Sequence, residues 1–83
     1  MASIEDFLGT WYLSGDKTKL CYIRLEDDGV HLMIDLGESL GGTHYPGYSI
    51  NGNEIYRSGY PTGVLSSDLK RLDWTFVEAF WER

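Results

Sequence analysis

The sequence predicts an all-β fold, a small antiparallel meander that rolls into a short or partly open barrel after one N-terminal helical turn. Three observations predict it. Ten glycines in 83 residues call for many turns, and so for many short strands. The pairs Gly15-Asp16, Asp28-Gly29 and Asn51-Gly52 each carry the chemistry of a tight hairpin, which needs residues tolerant of positive φ. Around these turns the side chains alternate with a period of two. Cys21, Ile23 and Leu25 fall on one face and Tyr22, Arg24 and Glu26 on the other; Val30, Leu32, Ile34 and Leu36 then alternate with His31, Met33 and Asp35.

Taken in order, Ser3 is placed as an N-cap with Glu5 and Asp6 in the first turn, where the helix dipole favours acids, and Gly9 stops the turn. Residues 10–36 read as three strands joined by two hairpins. Residues 37–63 change character, with seven glycines, both prolines and four of the six tyrosines. Residues 37–47 are expected to form a long loop, and residues 48–56 a hairpin about Asn51-Gly52. The stretch after Val64 fits two patterns. Leu65, Leu69, Leu72, Phe76 and Phe80 approach a helical stripe with Ser67 as its cap, whereas Trp74, Thr75, Phe76, Val77, Phe80 and Trp81 are aromatic or β-branched and suit a pleated sheet. Strands are favoured for it.

At this length residues 1–83 are expected to form one domain with a thin core, burying ~60 to 65 % of the surface of the unfolded chain. Thirteen acidic and seven basic side chains give a net charge of −6, and the basic ones are scattered, which disfavours direct binding to nucleic acid or to an anionic membrane. No apolar run approaches the ~20 residues of a membrane span. Cys21 is the single cysteine, so no internal disulfide forms, and a soluble, intracellular protein is expected.

The segment Asp6–Leu13 resembles the opening of the calycin superfamily (lipocalins, intracellular fatty-acid-binding proteins and avidins), in which a short helical turn leads into a Gly-x-Trp strand. Gly9, Thr10 and Trp11 carry the likeness. The resemblance implies that Trp11 closes one end of a barrel and packs against an arginine near the last strand, a part that falls to Arg83 in the closing Phe-Trp-Glu-Arg. Eight strands in so short a chain leave roughly seven residues, or ~23 Å, for each, and an eight-stranded interior has room for side chains or one small ligand. A deep fatty-acid cavity is not expected.

No catalytic constellation stands out. His31 and His44 are the only histidines and lie in different elements, so neither a metal site nor any cofactor is expected. Cys21 falls on an apolar strand face, where a cysteine acts as a small hydrophobe. Glu26, Asp27 and Asp28 form a hairpin tip, and Asp35 and Glu38 form a carboxylate pair without a fixed separation. The candidate binding residues are aromatic: Tyr45, Tyr48, Tyr56 and Tyr60 on glycine-rich scaffolding, with Arg57 among them, and Trp74 and Trp81 near the C-terminus. Tyr48 and Tyr56 also suit ordinary cross-strand pairs. Trp74, Phe76, Phe80 and Trp81 cannot all point inward, so at least one large aromatic is expected at the surface. The expectation is a non-enzymatic interaction domain, an accessory or inhibitor-type subunit that meets a protein partner or a second copy through the tyrosine-rich loops and C-terminal aromatics. The alternative is a small apolar ligand in a shallow pocket lined by Trp11, Tyr22 and Trp74.

Overall fold

The computed structural model describes residues 2–83. After a single helical turn, α1 (Ile4–Phe7), the strands are β1 (Gly9–Leu13), β2 (Leu20–Leu25), β3 (Leu32–Leu36), β4 (His44–Asn51), β5 (Glu54–Tyr56), β6 (Gly63–Leu65), β7 (Arg71–Trp74) and β8 (Ala79–Glu82). Each pairs antiparallel with the next, and β8 returns to pair with β1 through Tyr12↔Glu82 and Leu13↔Trp81. The barrel is closed rather than partly open, and every strand has a paired neighbour on each side.

One face of each strand fills the interior. Trp11, Cys21, Ile23, Leu32, Ile55 and Leu72 are all buried there, at 1 % exposure or less. At about 25 cal/mol for each Å² of apolar surface removed from water, this inner layer is the main term holding so small a domain together. Space inside is tight. A Cβ on Gly63 would lie 2.9 Å from Ile55 Cγ2 and 3.1 Å from Trp74 Cη2, so β6 reaches the core only because it carries a glycine.

The turns form near the expected positions, but the backbone moves some of them by a residue. At the first hairpin the left-handed pair is Ser14 (φ 55°) and Gly15 (φ 73°), not Gly15-Asp16; Asp16 instead accepts hydrogen bonds from the Thr18 amide and hydroxyl at 2.9 and 2.7 Å. The third hairpin turns on Gly52-Asn53, because Asn51 pairs with Glu54 and only Gly52 takes positive φ, the pattern of a II′ rather than a I′ turn. Val30 does not continue the inward alternation. It sits in the turn before β3, 62 % exposed, while Asp28 Oδ1 accepts from the Val30 and His31 amides at 2.9 Å.

The expected long loop over 37–47 is shorter, because β4 begins at His44. Pro46 lacks an amide hydrogen, yet the strand absorbs it: the register slips between Leu32↔Tyr48 and Ile34↔Tyr45, with Gly47 at φ 84° in the bulge. Residues 71–82 form a hairpin and not a helix. Its tip bends through Phe76 at φ 65°.

In an up-and-down meander the connections alternate between two ends. One end carries α1 and the turns at 26–31, 52–53 and 66–70. The other carries those at 14–19, 37–43, 57–62 and 75–78.

Candidate functional site

The α1 end is plugged. Phe7 and Trp11 are fully buried, and the Trp11 indole donates from Nε1 to the Phe7 carbonyl at 2.9 Å. The Arg83 guanidinium lies 3.9 Å above the Trp11 ring, and it donates to the carbonyls of Leu69 (2.8 Å), Leu8 (3.0 Å) and Asp6. Three backbone acceptors and a ring face thus converge on one cation, tying α1, the 66–70 turn and the end of β8 together. Gly9, at φ 117°, lets the chain leave α1 directly into β1. Arg83 and Trp11 together therefore close this end.

The opposite end is open. A cavity of about 290 Å³ enters the barrel there, lined by Tyr45, Tyr48, Tyr60, Trp74 and Trp81 with Val77 on its rim. Sequence position scatters these residues over three strands, β4, β7 and β8, and the 57–62 and 75–78 connections, but barrel closure gathers them. Their rings form a chain of edge-to-face contacts: Tyr45–Tyr60 at 6.0 Å, Tyr60–Tyr48 at 6.5 Å, Tyr48–Trp74 at 6.4 Å and Trp74–Trp81 at 4.8 Å between centroids. Such contacts fix ring orientation at little entropic cost. Tyr48, Trp74 and Trp81 are buried and serve as floor and wall; Tyr45 is half-buried, and Tyr60 stands on the rim at 39 % exposure. Burial pushes the Tyr48 phenol above its ordinary pKa, opposed by the charge of Arg57. Arg57 itself stacks over Tyr60, with Cζ 4.2 Å from the ring centroid.

Not every candidate joins this mouth. Tyr56 pairs with Ser49 and faces outward at 41 % exposure, away from the cavity. Of the three residues expected to line a small-ligand pocket, only Trp74 does so: Trp11 belongs to the plugged end, and Tyr22 lies on the outer face beside Asp35.

The mouth also contains two further features, the first of them the surface aromatic that the residue pattern requires. Phe76, at the tip of the β7–β8 hairpin, is 94 % exposed beside Val77, itself 48 % exposed. An aromatic side chain in left-handed backbone costs roughly 1–2 kcal/mol, and here that strain coincides with full exposure next to an apolar cavity. In the cavity wall, the Trp74 Nε1 hydrogen has no acceptor within the described residues. Only the position of the turn in three dimensions exposes Phe76. No sequence signal indicated the orphaned indole.

A second cluster lies on the outside of the barrel. Asp35 is buried at 5 % exposure, and its carboxylate binds Arg24 Nε at 2.8 Å and His44 Nδ1. The Asp35 carboxylate is thus held by Arg24 and His44 from the flanking strands and is not available for a catalytic pair with Glu38. A groove of about 710 Å³ runs past this cluster. Three of its polar side chains, Arg24, Asp35 and His44, are already paired with one another. Cys21 is fully buried, and burial pushes its thiol up to about 11, so it is an inert core residue. Among the described residues, no three His, Cys, Asp or Glu side chains come together to hold a metal, and no helix is long and apolar enough to cross a membrane.

Fold and site together define a closed eight-stranded antiparallel barrel, plugged at one end and open at the other through an aromatic mouth. Comparison with protein-family models, with curated proteins and with solved structures finds no match.

Proposed function

We propose that this protein is a non-enzymatic recognition domain, an accessory or inhibitor-type subunit that takes an apolar side chain of a protein partner into its barrel mouth. One observation carries the reading: five of the aromatic candidates converge on a single concave opening, and an exposed Phe76 extends that surface beyond the cavity. A cavity of about 290 Å³ suits one anchoring side chain, and rigid tyrosines and tryptophans around such an anchor are the usual composition of a binding hot spot. The net charge of −6 supports a protein rather than a nucleic acid as the partner. The Gly9-Thr10-Trp11 step and the Arg83 stack on Trp11 support a calycin-like assignment for the barrel.

The concavity of the mouth favours a second reading, a small apolar ligand held in the same place. Selection of a random peptide library on the immobilised protein tests the first. Enriched peptides are expected to share a large apolar residue, to lose binding on Tyr60→Ala and to keep it on Tyr56→Ala. Equal binding by the Tyr60→Ala protein would overturn the reading. Failure to enrich any peptide, with apolar small molecules raising the Tm instead, would replace it with the second.

A further inference from the structure

The charge distribution around the mouth narrows the partner further, on the footing of the reading above. Four arginines are present, and three have acceptors: Arg24 binds Asp35, Arg71 binds Asp73 at 3.0 Å, and Arg83 binds three carbonyls. Arg57 has none among the described residues. It is half-buried, and its guanidinium rests on the Tyr60 ring at the lip of the cavity, with Nε 3.9 Å from where a Cβ on Gly47 would sit. In a chain with thirteen acidic residues, a positioned arginine left without a carboxylate is a vacant half of an ion pair. Contact with the Tyr60 ring holds the guanidinium at this place, and its N–H groups remain for an acceptor from outside.

From this charge complementarity we infer that the mouth recognises a protein segment in which a carboxylate lies next to the apolar anchor. The anchor fills the aromatic cavity while the carboxylate meets Arg57. Glu78 in the 75–78 turn and Glu26, bonded to the Gly47 amide at 2.7 Å, oppose such a segment, so the contribution of Arg57 is read from its own substitution.

The test uses two end-blocked pentapeptides, Gly-Asp-Phe-Asp-Gly and Gly-Asn-Phe-Asn-Gly, titrated into the isotope-labelled protein in 0.15 M salt and followed by nuclear magnetic resonance. The acidic peptide is expected to bind about fivefold more tightly than its amide counterpart, a preference that disappears in Arg57→Gln. Equal affinity of the two peptides for the wild type, or a preference that survives Arg57→Gln, would overturn the carboxylate inference and leave the anchor reading intact. If neither peptide shifts the Trp74 and Trp81 signals, the anchor reading falls as well.

Discussion

Asp28 and His31 show how much one side chain sets locally. The Asp28 carboxylate accepts from two backbone amides and meets His31 Nδ1 at 2.6 Å, which holds its own pKa down at about 2 and raises that of His31 above the ordinary 6.5. The signs give a window for the turn. The His31 contribution is fully present below 6.5 and is lost as pH rises through the raised value. The Asp28 contribution is present above 3.8 and is lost as pH falls towards 2. The His31 resonances are expected to titrate above 6.5 and to return towards it in Asp28→Asn. An unchanged midpoint in that variant would contradict the pairing. The buried Cys21 thiol, pushed up to about 11, is expected to resist thiol reagents at pH 8 in the native protein and to react freely once denaturant unfolds it.

Elements carry the next set of constraints. Gly63 gives β6 its close approach to Ile55 and Trp74, so Gly63→Ala is expected to cost about 1–3 kcal/mol, read from denaturant melts. In the β7–β8 hairpin the relation reverses. Phe76 is exposed and left-handed, so Phe76→Asn is expected to raise stability by about 1 kcal/mol, while weakening any partner that uses this tip. A variant no more stable than wild type would show that the turn is unstrained. These same elements mark what the sequence revealed. The alternation around Ile23 and Ile34 and the glycine-containing turns were legible because they depend on local chemistry. Which of two adjacent residues takes positive φ depends on the register of the neighbouring strand, which is why Ser14 and Gly52-Asn53 displaced the expected pairs. The bulge at Pro46 and Gly47 was hidden for the same reason, and with it the pairing of His44 with Asp35, which only that slipped register brings side by side.

At the scale of the whole molecule, closure divides the barrel into a plugged end and an open end. The β1–β8 seam has just two residue pairs, and Arg83 reinforces it by joining α1 to the 66–70 turn. Arg83→Ala leaves those carbonyls without donors and is expected to cost about 1–3 kcal/mol, with loss of near-ultraviolet dichroism from Trp11. The aromatic residues of the mouth were identifiable one by one from their types, but their convergence was not, since it follows from closing the sheet. The three tryptophans report separately on the two ends, Trp11 on the plug and Trp74 and Trp81 on the mouth. The most direct test of the account is therefore the movement of the three indole N–H resonances as a selected peptide is added. Shifts at Trp74 and Trp81 with Trp11 unmoved are the predicted result; a shift at Trp11 alone, or binding that leaves all three in place, would contradict it.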